Sequence, residues 1–348
     1  MTADNSQLAL GLDTFGDNTV DDDGTPLTPA QVIRNVVEQG VLAEQVGVDF
    51  FGVGEHHRDD FAVSAPDVVL SAIAARTERI RLGSSVTVLS SDDPVRVYER
   101  FATVDAVSGG RAMITVGRGS FTESFPLFGF DLDDYEALFS EKLDLLAALR
   151  AEGSVTWSGT VRSPLAGQRV YPTTEHDAGL PIWVGVGGSP ESVVRTARHG
   201  LPMQLAIIGG APARFRTYAE LFREASEKFG FGTLPLGVHS PGFVAETDQA
   251  ARDALFPYFK QNRDRIGRER GWPPLTRTAF EHDVEQGALH VGSPETVAAK
   301  IADTVRTLGL QRFDLKYSAG PMPDSLLRRN IELYGTEVIP RVRALLAG

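Results

Sequence analysis

Eight short apolar runs, each followed by an amphipathic stretch, constrain this chain more than any other feature. The runs are LALGLD (8–13), VDFFGVG (48–54), IRLGSSVTVL (80–89), RAMITVG (111–117), LPIWVGVG (180–187), LPMQLAII (201–208), LPLGVHSPGFVA (234–245) and RFDLKYS (312–318). Between them, residues 29–46, 65–77, 94–110, 134–150, 190–199, 211–229 and 324–345 space their apolar positions at helical intervals. Strands that are apolar on successive residues bury both faces, as strands of a parallel sheet do. Eight such units predict an α/β fold, a (β/α)8 TIM barrel forming one domain over 1–348, with a doubly wound open sheet as the alternative. Two stretches break the period. Residues 154–172 read as a small irregular insert. Residues 258–290, charged and carrying Pro273-Pro274, read as a mobile loop able to act as a lid, the alternative being a helix extension with a solvated arginine face.

Composition narrows the chemistry. The 348 residues include no cysteine, so disulfides, thiolate metal sites and cysteine nucleophiles are excluded. A formal net charge of -12 argues against nucleic acid or an anionic membrane as partner. The start, MTADNSQLAL, lacks a signal-peptide pattern, and no apolar run reaches the roughly 20 residues of a membrane span, so a cytoplasmic protein is expected.

In a barrel, functional groups gather where the strands end. The second run ends in EHHRDD (55–60). His56 and His57 suit proton transfer near neutral pH, with Glu55 placed to orient His56. The alternatives are a plain polar loop, or an iron site using the H-x-D spacing and a third ligand from His176, His199, His239, His282 or His290. The zinc pattern H-E-x-x-H is absent, and the companions that give H-R-D its kinase meaning are missing. The fourth run ends in VGRGSF (116–121), where glycines let a ligand approach the backbone and Arg118 can fork onto a phosphate. The fifth ends in VGVGGSPES (184–192), which reads as an N-cap serine, Ser189, ahead of Pro190. The same cap recurs in VGSPET (291–296), but only the first copy adds Gly185, Gly187 and Gly188, exposing amides that favour an anion. A third glycine-rich piece, IIGGAP (207–212), follows the sixth run. Neither a G-x-G-x-x-G fingerprint nor a P-loop occurs.

Taken in order, EHH (55–57), IRLGSSVTVLSSDDPVRVYERFATVDAVSGGRAMITVGRG (80–119), PIWVGVGGSPES (181–192), GLPMQL (200–205) and VGSPETVAAKI (291–301) resemble the bacterial luciferase-like flavin monooxygenase family over about residues 8–340. The resemblance implies a TIM barrel, usually a homodimer, that binds reduced FMN supplied by a separate NAD(P)H:flavin reductase and uses dioxygen, through a flavin hydroperoxide, to oxidise a small organic substrate. It implies that His56 is the catalytic histidine with His57 its neighbour. Arg118, with Ser120 beside it, and Gly187, Gly188 and Ser189 would hold the phosphate. Ser85-Val86 would form a non-prolyl cis peptide under the flavin ring, with Phe121 and Ile207 contacting the ring, and 258–290 would be the family's mobile loop. One departure stands out. Luciferases place a cysteine beside the flavin where this chain has Gly117, so the resemblance is to the monooxygenases at large and not to luciferase proper. The competing readings are a deazaflavin-dependent dehydrogenase on the same barrel and a non-catalytic flavin-binding barrel.

Overall fold

A computed structural model describes residues 8–119 and 121–347. Eight parallel strands close on themselves: β1 (Ala9–Thr14), β2 (Phe50–Val53), β3 (Arg81–Ser84), β4 (Ala112–Gly117), β5 (Ile182–Val186), β6 (Met203–Ala206), β7 (Leu236–Val244) and β8 (Arg312–Lys316). Each pairs with the next, and β8 pairs back onto β1 with Ala9 opposite Arg312 and Asp13 opposite Lys316. This is the expected (β/α)8 barrel, and the open-sheet alternative falls.

Side chains alternate along each strand, so one set faces the helices and the other the barrel interior. Leu10, Leu12, Phe51, Val53, Ile114, Val116, Phe313 and Leu315 belong to the outer core against the helices. The interior is different. Phe50, Met113 and Trp183 form its floor, and the Arg312 guanidinium lies 3.7 Å from the Phe50 ring centroid and 5.1 Å from that of Trp183. Arg312 in turn pairs with the fully buried Asp314 at 2.6 Å, and Gln204 donates to the same carboxylate at 3.0 Å. The barrel is therefore plugged at its amino-terminal end, and a ligand can enter only from the carboxyl ends of the strands, the mouth.

The helices begin as their caps dictate. Thr28, Asp93, Ser189 and Ser293 each accept a hydrogen bond from the first turn, and a proline follows each. Three long helices end on left-handed glycines: Gly109, Gly271 and Gly309. Among the described residues no helix is long and apolar enough to cross a membrane.

The structure corrects three local expectations. The run 80–89 is not one strand. It breaks after Ser84, and Thr87–Val88 resumes as a separate piece beside β4, because the mouth bends the chain there. The insert at 154–172 contains a short antiparallel hairpin, Val155–Trp157 with Leu165–Gln168. The largest correction concerns 258–290, which is not a loop. It is the second half of a helix, Asp248–Arg270, then a second helix, Arg277–Gln286, with irregular chain at 271–276 and 287–289, and its last residue opens the short strand His290–Gly292. Its charges misled: arginine, glutamate and glutamine are good helix formers, and Gly271 with Pro273-Pro274 punctuates two helices rather than dissolving them.

Candidate active site

The stretch after β2 carries the two histidines in opposite directions. The His56 ring enters an aromatic nest, with ring centroids 5.0 Å from Phe15, 4.3 Å from Phe61 and 5.1 Å from Phe121. Burial among these rings pushes its pKa down to about 3, against the pull of Asp17 and with help from the charges of Lys316 and Arg58. His56 is thus a neutral imidazole at physiological pH. The nearest carboxylate, Glu123, stands 4.0 Å from its Nδ1.

His57 points away from this nest. Its Nε2 lies 2.8 Å from the Glu55 carboxylate, and its ring meets the edge of Phe128 at 4.9 Å. Glu55 therefore orients His57 and not His56, contrary to the expectation from sequence. Its other oxygen accepts the Val88 amide at 2.9 Å, so the buried Glu55 braces the bend after β3. Beyond His57 opens a cavity of about 270 Å³, between Glu55, Thr87, Asp92, Arg100, Lys142 and Arg162. It lies outside the aromatic nest, on the far side of Glu55. The barrel mouth, where the strand ends converge, is the better candidate for chemistry.

Three strand ends build a bare shelf in that mouth. The Ser85-Val86 peptide is cis. A Cβ on Gly117, at the end of β4, would stand 2.7 Å from Val86 Cγ2, and one on Gly185, in β5, 3.1 Å from Val86 Cγ1. Val86 thus occupies the room that side chains at both glycines would take. The luciferase-type cysteine would not fit at Gly117 with Val86 in this place.

Beside the shelf lies a cationic corner. Arg118 and Arg195 both bind Glu136, the second at 2.7 Å, so the end of β4 is tied to the helix Pro190–Arg198. Ser189 caps that helix, accepting from the Ser192 amide at 3.3 Å and donating to Glu191 at 2.8 Å. The Glu191 carboxyl is held below its usual range by its own amide and Ser189, with Arg195 and Arg118 adding charge attraction. Gly188 ahead of the cap has φ +106°, a conformation that glycine alone adopts at ease, and nothing lies within 4 Å of where a Gly187 side chain would start. Glu136 thus brings Arg118 and Arg195 to the helix that Ser189 caps and that Gly187 and Gly188 precede. The only sequence signal for Arg195 was a position two turns after the capped start of the same helix.

Phe121 is in the nest, with the guanidinium carbons of Arg58 and Arg270 at 4.4 and 5.3 Å from its ring centroid. Ile207 is fully buried after β6, its amide donating to the His239 carbonyl at 2.9 Å, so it offers no open surface. Ser120 lies outside the described residues. The end of the helix Asp248–Arg270 reaches the same rim: Glu269 binds Arg58 at 2.6 Å, and Arg265 binds Asp60 at 3.2 Å.

Sequence reading missed the opposite wall. Lys316, at the end of β8, holds Asp17 at 2.9 Å and lies 4.7 Å from the Phe15 ring centroid. Burial alone would raise the Asp17 carboxyl, but Lys316 and Ser318 outweigh it and hold it below the usual carboxylate range. The available signal was polar residues at strand ends, as in the LDTFGD that closes β1. Among the described residues no three histidine, aspartate or glutamate side chains come close enough to share a metal ion.

A closed parallel barrel, plugged below and carrying at its mouth a buried neutral histidine, a bare shelf and a cationic corner, has the form of a barrel oxidoreductase. A family model described as luciferase-like monooxygenase matches residues 14–312. The N-acetyl-S-alkylcysteine monooxygenase of Bacillus subtilis (strain 168) is 31% identical over 306 residues, covering 82% of this chain and 87% of that protein. Among solved structures, the oxygenating constituent of 3,6-diketocamphane monooxygenase from Pseudomonas putida, in complex with FMN, superposes with a TM-score of 0.75 at 17% identity, covering 97% of this chain and 99% of that one. The coenzyme F420 dependent tetrahydromethanopterin reductase of Methanopyrus kandleri gives 0.72, also at 17% identity, covering 97% and 100%. The chain belongs to the luciferase-like monooxygenase family.

Proposed function

We propose that this protein is an FMN-dependent monooxygenase that takes reduced flavin from a separate reductase, uses dioxygen, and oxidises a small organic substrate. The observation that carries the reading is the shelf of Val86, Gly117 and Gly185 next to the corner of Arg118 and Ser189, a bare surface with arginines and a capped helix start at one edge. The residues present fit an isoalloxazine ring over the first and a phosphate at the second, where an anion could take the place of the exposed Glu136 carboxylate on Arg118 and Arg195. When bound, reduced flavin supplies the electrons that activate dioxygen. His56, kept neutral by its aromatic nest, would donate or accept a hydrogen bond at the reacting edge without carrying charge. The nest also excludes water, which favours oxidation of substrate over unproductive loss of oxidant.

Titration with FMN, riboflavin and coenzyme F420, read by flavin absorbance and fluorescence, tests the assignment. Arg118→Ala should weaken FMN by about 1.5–3 kcal/mol, the size of a hydrogen bond to a charged group, and leave riboflavin unchanged. Equal losses for both flavins would refute the phosphate site. Tight F420 binding without FMN binding would replace the monooxygenase with a deazaflavin-dependent dehydrogenase.

A further inference from the structure

Facing the shelf across the mouth, on the β1, β7 and β8 side, stands a second histidine. His239 Nδ1 lies 2.7 Å from Asp13 Oδ2, and both residues are buried. With the Asp13 carboxylate as acceptor in this bond and Nδ1–H as donor, Nε2 is the ring nitrogen left to meet a ligand. Nε2 has no hydrogen-bond partner among the described residues, yet it is not sealed away with the buried unpartnered atoms. Its outlook follows from the barrel. His239 shares the inward face of β7 with Gly237, whose missing side chain is replaced by Gln204 and Arg312 from neighbouring strands. The floor below is therefore filled, and the residual exposure of His239 opens upward into the mouth. The Phe15 ring stacks on His239 at 5.8 Å with its plane tilted by 13°, and its edge contact to His56 places it between the two histidines.

We propose that His239, held by Asp13, is the base of this site, and that it takes the hydroxyl proton of a phenolic substrate lying in the mouth against Phe15. The inference rests on reading the mouth as the active site. Flavin on the shelf would leave the opposite wall to the substrate, and that wall is aromatic. The substrate O–H bond breaks, its proton passes to Nε2, and the electron pair stays on oxygen as a phenolate. The Asp13 carboxylate stabilises the imidazolium through Nδ1–H, as the carboxylate of a serine-protease triad does. A phenolate is more electron-rich than its phenol and more readily oxidised at ring carbon. The charged groups that face His239 are Asp13 from β1, Asp314 and Lys316 from β8, with Arg312 below and Asp17 beyond Phe15; His56 is neutral. Lys316 would also help to hold the anion.

The test needs no turnover. 4-Nitrophenol is added to the protein, with and without FMN, somewhat below the probe's own pKa. Wild type should develop the yellow phenolate band on binding. His239→Gln should lower phenolate affinity about 10- to 100-fold, the size of a lost hydrogen bond to a charged group. Asp13→Asn should fall between, because it no longer dictates the tautomer. In 15N-histidine-labelled wild type, the ring assigned to His239 by contacts with Phe15 and none with Phe61 or Phe121 should go from the Nδ1–H tautomer to imidazolium as probe is added. That measurement stands even if the variants fail to fold. No phenolate in wild type, an equal band in His239→Gln, or a His239 ring unmoved by bound probe overturns the proposal. FMN binding with no phenolate would leave the monooxygenase reading intact and sink this one alone.

Discussion

Acidification should cost this protein stability through His56, by an amount that the aromatic nest sets. In the unfolded chain the imidazole takes a proton at its ordinary 6.5, and in the folded protein burial among Phe15, Phe61 and Phe121 delays this to about 3. Between those values the unfolded state binds more protons than the folded state. Stability is whole above the unfolded value and is lost as pH falls through the window toward 3. One unit of displacement corresponds to about 1.4 kcal/mol, so going from about pH 7.5 to about pH 5 should cost about 2 kcal/mol through this residue alone. His290 is fully buried, and its pKa is likewise pushed to about 3, chiefly by burial and further by Lys300, so it should contribute a similar loss. Denaturant unfolding followed by far-ultraviolet circular dichroism at the two pH values measures the sum. The decisive quantity is a difference of differences. His56→Gln should shrink the acid-induced loss by about 2 kcal/mol, leaving the His290 share. Proton NMR of the histidine rings gives the same answer directly, with the His56 signals unshifted down to about pH 5. An equal acid loss in wild type and His56→Gln, or a His56 ring that titrates near its ordinary value, would refute the claim that the nest keeps this imidazole neutral.

Three further outcomes follow from the geometry. Gly117→Ala places a Cβ 2.7 Å from Val86, so it should cost about 1–3 kcal/mol in stability and weaken flavin binding, seen by thermal unfolding and fluorescence titration. Asp17→Asn strands the buried Lys316 ammonium and should cost about 3–5 kcal/mol by denaturant unfolding, a far larger loss than neutralising any rim charge. Glu269→Gln releases one hold of the helix Asp248–Arg270 on Arg58; being half-exposed it should change global stability by less than about 1 kcal/mol. The same change should speed proteolysis at 271–276, and unchanged cleavage would show that the other rim contacts suffice.

The barrel was legible because its signal is repeated and local. Each strand is an apolar run with both faces buried, and each helix is announced by a cap such as Asp93-Pro94 or Ser189-Pro190, so no knowledge of distant residues is needed. The strand-end rule then placed EHH, Gly-Arg-Gly and the Ser189 cap at one mouth. Charge in the long connection 258–290 carries no such period, so a loop and a helix extension stay open in the sequence, and the structure takes the helical alternative. What the sequence by itself determined was therefore the fold and the list of groups that end its strands. Which of those groups face one another was decided only by closure of the barrel. Closure turned His56 into an aromatic nest and His57 onto Glu55, set Val86 where side chains at Gly117 and Gly185 would be, and brought Asp13 to His239 across 226 residues of chain. Those contacts depend on strand register and on which side of each strand points inward, and both are properties of the assembled sheet that no local stretch encodes.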